Sequence, residues 1–144
     1  MATITSFEDI EAWQLARNLC REIYKLTANG TFAKDFGLKN QIRKSSGSIM
    51  DNIAEGFERG GNKEFVHFLS IAKGSSGEVR SQLYRAFDCD HINDVQLQSL
   101  LQQCIVISRK ISGLMKYLNS SEVKGSKFLE PEEAYEPSTL NLKP

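Results

Sequence analysis

The sequence predicts an all-α fold, specifically an antiparallel up-down-up-down four-helix bundle. Apolar residues recur at steps of three and four along four long segments. Short Gly- and Asn-containing connections join those segments, which places successive helices antiparallel. No stretch of any length alternates apolar and polar residues with period two, so strands are not expected.

The first helix is predicted over about residues 7–27. Ser6 suits its N-cap, with Glu8, Asp9 and Glu11 at the positive end of the dipole. Its stripe is Trp13, Ala16, Leu19, Cys20, Ile23 and Leu26, and Asn29-Gly30 ends it. The second spans about residues 38–59, with Asp35 near its start and Leu38, Ile42, Ser45, Ser46, Ile49, Ile53 and Phe57 as its stripe. Gly60-Gly61 supplies the next turn, where positive φ is needed.

The third helix covers about residues 63–88 with Asn62 as N-cap, and buries Phe65, Phe68, Leu69, Ala72, Ser76, Val79, Leu83 and Ala86. The fourth, about residues 94–119, has the cleanest repeat: Leu97, Leu100, Cys104, Ile107, Ile111, Leu114 and Leu118. Its alternating steps favour near-parallel bundle packing. Val66, Ile71, Leu101, Ile105 and Met115 flank these stripes, and so wide an apolar arc points to either deeper burial or a second contact surface, with self-association its simplest outlet. Residues 1–119 form the bundle. Residues 120–144 hold all three prolines and only isolated hydrophobes, and read as a disordered or loosely docked tail in which Phe128, Leu129 and Tyr135 are the docking candidates.

Composition excludes several classes. A 144-residue chain that is 40% hydrophobic and 25% charged suits one globular domain with a real core. There is no apolar run long enough for a membrane span, and the N-terminal residues lack the pattern of a secretory signal. A cytoplasmic protein without a membrane partner is expected. Formal charge is balanced at 18 basic and 18 acidic residues; the tail carries three lysines against five glutamates, leaving residues 1–119 at +2. Dedicated nucleic-acid binders are usually far more basic.

Cys20, Cys89 and Cys104 have no metal or redox spacing. Cys20 and Cys104 fall on apolar stripes as small hydrophobes, and acids beside Cys89 disfavour a thiolate. Glu64 and His67 have the Glu-x-x-His spacing of a bundle metal site but lack a second such pair, and the other histidine, His91, is set apart by a predicted turn. Glu64 and His67 therefore read as two surface residues on a helix, and no metal or other cofactor is expected. Gly74-Ser75-Ser76-Gly77 lies mid-helix with no preceding strand and no Lys-Ser/Thr ending, unlike a phosphate loop.

Small and polar residues inside the second and third helices are the unusual feature. Each interior Gly costs about 1 kcal/mol relative to Ala, so Gly47, Gly56, Gly74 and Gly77 are expected at close backbone crossings. Asn52 and Glu55 share a face of the second helix; Lys73, Ser76 and Arg80 share a side of the third, with Glu78 nearby. If the helices are adjacent, Glu55 would pair with Lys73 or Arg80 and Asn52 with a serine, forming a polar network that fixes helix pairing. The competing reading is a small-ligand or enzymatic site between the second and third helices, but no oxyanion hole or positioned His accompanies it.

The segments FEDIEAWQLARNL, QIRKSSGSIMDNIAEGFER and KEFVHFLSIAKGSSGEVRSQL resemble the bacterial four-helix-bundle family found as 23S rRNA intervening-sequence proteins. The likeness covers about residues 6–119 and is most specific at Asn52-Ile53-Ala54-Glu55-Gly56 and at Ile71-Ala72-Lys73-Gly74-Ser75 with Glu78. It implies a bundle that assembles into a homo-oligomeric ring, usually a pentamer, with no known reaction. Accessory variability proteins of diversity-generating retroelements belong to the same group, which implies RNA or DNA and a reverse transcriptase or other processing protein as partners. Those relatives are basic, whereas this chain is neutral. Candidate phosphate contacts are Arg17, Arg21 and Lys25, stepping by four along the first helix, and Lys39, Arg43 and Lys44 on the second.

Overall fold

A computed structural model describes residues 3–120 and 128–129. Helices dominate: α1 (Glu11–Leu26), the short α2 (Gly30–Lys34), α3 (Phe36–Glu58), α4 (Asn62–Asp88) and α5 (Asp94–Ser120). Two two-residue strands, β1 (Thr3–Ile4) and β2 (Phe128–Leu129), pair antiparallel. This ladder corrects the expectation of no strands; so short a pair is invisible to a periodicity argument. The segment holding Phe128 and Leu129 thus meets the chain's own N-terminal segment through its backbone. Tyr135 and most of the tail lie outside the described residues.

Helix starts differ from the expected ones for local reasons. Residues Phe7–Asp9 form a 3-10 turn, and α1 begins only at Glu11 with Ile10 as its N-cap. Ser6 bonds the Asp9 carboxylate instead of capping. Gly30 does not end α1; with φ at +63° it opens α2. Asp35 caps α3 by accepting from the Leu38 amide at 3.2 Å. At the α3–α4 turn only Gly60 has positive φ, +89°, and Gly61, not Asn62, is the N-cap of α4. The Asn62 amide donates to the Leu118 carbonyl, tying the start of α4 to the end of α5.

The four long helices pack in the cyclic order α1, α3, α4, α5, most extensively between α3 and α4. Cross-helix partners run in opposite numerical senses. Between α3 and α4 they are Gln41 with Arg85, Ser45 with Glu78, Ser48 with Ser75, and Gly56 with Phe65 and Phe68. Between α4 and α5 they are Asn62 with Leu118 and Ser76 with Cys104. Cys20 of α1 and its C-cap Thr27 meet Ser46 and Arg43 of α3, while Glu11 and Glu22 meet Lys110 and Gln103 of α5.

One apolar core runs along the axis, with Leu19, Ile23, Ile42, Ile49, Ile53, Phe65, Leu69, Leu83, Cys104 and Ile111 almost wholly buried. Truncating any one of these large aliphatic side chains to Ala costs about 2–5 kcal/mol. Much of the flanking arc also finds cover within the chain: Leu101 is buried, and Val66 and Met115 pack partly against the core. Ile71 alone of those flanking residues stays markedly exposed, at 39%. No described helix is long and apolar enough to cross a membrane.

Candidate functional site

The α3–α4 junction contains the small polar residues that stand out in the sequence. Ser45, Ser46, Ser75 and Ser76 are buried, and each hydroxyl has a partner. Ser75 donates to Ser48 at 3.0 Å, and Asn52 donates to the same hydroxyl at 2.9 Å and to the Ser48 carbonyl at 2.8 Å. Ser45 donates to Glu78 at 3.5 Å. Ser46 donates to the Arg43 carbonyl, and Ser76 to the Cys104 carbonyl of α5 at 3.1 Å. Buried hydroxyls with partners fix register at little net energy, because each replaces a bond to water.

The expected network is therefore split. Glu55 does not reach Lys73 or Arg80; it lies on the solvent side of α3 and pairs with Arg59, one turn on, at 2.7 Å. Spacing put Glu55 beside Asn52, but α4 approaches on the Ser45–Ser48–Asn52 side, so the carboxylate faces water. Lys73 is exposed on α4. Arg80 sits near Cys104 on the α5 side, with its Nε buried and lacking a hydrogen-bond partner. Cys104, deep in the core, has its thiol pushed up to about 12 by burial, partly offset by the Arg80 charge and the Ser76 hydroxyl.

The basic set likewise divides among four places. Arg17, Arg21 and Lys25 are exposed along the outward side of α1, and Arg17 lies over the Trp13 ring. Lys39 leans over Phe36 at the start of α3. Lys44 lines an open polar groove of about 500 Å³ between α3 and α4, together with Gln41, Glu78 and Arg85.

Arg43, expected as a phosphate contact, directs its donors to partners within the chain. Its Nε donates to the buried Thr27 hydroxyl at 2.8 Å, its Nη2 donates to the Tyr24 carbonyl, and its guanidinium stacks 4.3 Å from the Tyr24 ring centroid. It closes the C-terminal end of α1, where carbonyls need donors. Sequence alone could not separate it from its exposed neighbour Lys44.

The glycines also divide. A Cβ on Gly56 would lie 2.7 Å from Phe68 Cβ and 3.1 Å from Phe65 Cδ1, so this is a true close crossing. Gly47, Gly74 and Gly77 are different: among the described residues a Cβ there would meet nothing within 4 Å. Their expected role at crossings inside the bundle is not what the chain shows. Gly74 and Gly77 instead belong to an outward seam of α4, with Ser70 and Ser81 at steps of four, three and four, all exposed. Ile71 and Tyr84, 39% and 48% exposed, flank it.

A cluster the sequence reading missed lies where the α2–α3 junction meets the α4–α5 connection. The His91 side chain is 9% exposed and stacks on Phe32 with ring centroids 4.9 Å apart. Its Nε2 lies 2.9 Å from Asp35 Oδ2 and its Nδ1 2.8 Å from Thr31 Oγ1. The His91 bond, then the Leu38 amide, holds the Asp35 carboxyl below its ordinary range. Cys89 is exposed beside them. No local motif signals a contact between residues 56 positions apart.

No curated protein gives a significant match. A family model described as 23S rRNA-intervening sequence protein matches residues 8–113, the span that contains nearly all of the bundle. The chain belongs to the 23S rRNA-intervening sequence protein family.

Proposed function

We propose that this chain is a non-enzymatic, homo-oligomeric helical module. In this reading an up-down-up-down bundle assembles with copies of itself into a cytoplasmic ring, a pentamer as its resemblance implies. The ring offers the basic outer face of α1 to RNA or DNA and docks a nucleic-acid-processing protein such as a reverse transcriptase. The reversed order of partners across all four helix pairs supports the topology.

The observation that carries the assembly reading is the open seam of α4. Gly74 and Gly77 weaken the helix by about 1 kcal/mol each and serve no close crossing among the described residues. Small residues at steps of four and three let a second helix approach closely, and such a helix from another copy gives these glycines a purpose. The nucleic-acid component rests on Arg17, Arg21 and Lys25, which step along one exposed face. Three charges are a modest patch, but a ring multiplies them around its rim into a considerable field.

Size-exclusion chromatography with light scattering tests assembly; a strict monomer at micromolar concentration removes the ring. Fluorescence anisotropy against RNA and DNA at low and moderate salt tests the ligand. Binding that weakens with salt and falls on charge reversal at Arg17 and Arg21 supports the reading. Binding unaffected by that reversal, or absent at low salt, refutes the assigned face.

A further inference from the structure

We infer that Asp35, Cys89 and His91 form a binding site for a divalent transition metal ion, with zinc the best fit. One ligand atom from each residue lies within 4.8 Å of the other two. Thiolate sulfur, imidazole nitrogen and carboxylate oxygen are the three donor types zinc takes in proteins, and a fourth, tetrahedral position is left for water.

The geometry around His91 suits a metal in a specific way. Nε2 and Asp35 Oδ2 stand 2.9 Å apart, joined by one proton. A zinc ion bound to both at about 2.0–2.1 Å in tetrahedral geometry holds them roughly 3.3 Å apart. Exchange of that proton for the ion therefore moves the pair by only a few tenths of an ångström. Nε2 then ligates through its lone pair, so the ring proton must sit on Nδ1. Thr31 Oγ1, 2.8 Å from Nδ1, accommodates either tautomer, because a hydroxyl donates or accepts by rotating its proton.

The remaining supports are already in place. The Phe32 stack fixes the plane of the ring, as the outer-shell partners of ligating histidines do. Asp35 commits Oδ1 to the cap of α3 and directs Oδ2 at His91. Cys89 and His91 flank Asp90, whose φ of +61° turns the chain sharply after α4. A bound ion ties the α4–α5 connection to the start of α3, so metal occupancy stabilises that end of the bundle. The site is independent of the seam on α4 and of the basic face of α1.

The test uses the tag-free, chelator-treated full chain. Titration with cobalt(II) should give one equivalent of tetrahedral d–d bands with a thiolate-to-cobalt charge-transfer band, both abolished by added zinc. Cys89→Ala, at an exposed position that leaves the fold intact by circular dichroism, should lose the charge-transfer band. Thr31→Val should bind about 10–100-fold more weakly while keeping the band, the effect of losing an outer-shell partner. Zinc should raise the Tm of the wild type and not that of Cys89→Ala. An absent cobalt spectrum, a charge-transfer band that survives Cys89→Ala, or a Tm indifferent to zinc would overturn the assignment.

Discussion

Alanine at Gly74 and Gly77 should strengthen the isolated chain and weaken its assembly. Both positions are exposed in the interior of α4, have ordinary helical φ, and offer a new methyl nothing within 4 Å. Each replacement then gains only the helix propensity difference, about 0.8–1 kcal/mol, and the pair gives close to 2 kcal/mol. In a domain of this size 1 kcal/mol moves Tm by roughly 3–5 °C, so the double variant should melt about 5–9 °C higher. Gly56→Ala is the internal control. Its methyl would meet Phe68 Cβ at 2.7 Å, an atom fixed to the α4 backbone, so relief requires the helices to move apart. Overpacking of that kind costs about 1–3 kcal/mol and outweighs the propensity gain.

Urea denaturation at low protein concentration measures the dissociated chain, and light scattering across a concentration series measures association. In the double variant the first should rise while the second falls, because two methyls hold the partner helix away. A loss of stability in the dissociated chain would mean that α4 already uses those glycines internally. Unchanged association would remove the seam from the assembly interface.

Four further outcomes follow from individual contacts. Arg43→Ala should lower stability by about 2 kcal/mol, from its charged hydrogen bonds to Thr27 and Tyr24, and leave nucleic-acid affinity unchanged, read by denaturation and anisotropy. Glu55→Ala should leave Tm unchanged, since its partner Arg59 lies in solvent one turn away, whereas a buried pair would show a large loss. Cys104 keeps its proton in the folded chain up to about pH 12 but loses it near 9 when unfolded. The wild type should therefore lose about 1.4 kcal/mol per pH unit above 9 relative to Cys104→Ala, and Cys104 should resist alkylation until the chain unfolds. Asp90→Gly should raise stability by about 0.5–1 kcal/mol, because Asp90 occupies a left-handed position at the end of α4, where glycine is unstrained; a thermal melt checks it.

The apolar stripes were legible because burial along a helix repeats with its turn. Ile42, Ile49 and Ile53 on α3, and Leu97, Cys104, Ile107 and Ile111 on α5, are all buried where the spacing puts them. What spacing cannot give is which flank of a helix its neighbour covers. Asn52 and Glu55 share a face by the three-residue rule, yet α4 meets the Ser48 hydroxyl that Asn52 bonds and leaves Glu55 in water. Arg43 and Lys44 differ by one position and by their whole environment, for the same reason. Glycine is ambiguous in another way: both a crowded crossing and an open seam ask for the smallest side chain. Gly56 and Gly74 are told apart only by the distance to the next helix. The Asp35–His91 bond was illegible because it depends on two connections meeting at one end of the bundle.

The two surfaces of the proposed function constrain each other through the packing order. α1 and α4 are not neighbours in the cycle α1, α3, α4, α5, so they lie diagonally across the core and their outward faces point apart. A copy seated on the α4 seam therefore leaves Arg17, Arg21 and Lys25 uncovered at that contact, and phosphate binding by α1 would not compete with it. Symmetry adds a second condition. If the seam met its own equivalent on another copy, the contact would close as a two-fold dimer; a ring needs a different patch on each side of every junction. Two shallow seams facing each other bring their backbones close but leave little side-chain surface to interlock, whereas a seam against a ridge of larger side chains fills the hollow and reaches interior packing density. Among the described residues, Phe36 at the start of α3 and Val95 at the start of α5, 68% and 77% exposed, are the large apolar side chains outside α4 that stand most clear, and each would serve a separate ridge because α3 and α5 are not neighbours. A seam-to-ridge contact is head-to-tail by construction, and a head-to-tail contact repeated around an axis is what a ring is made of.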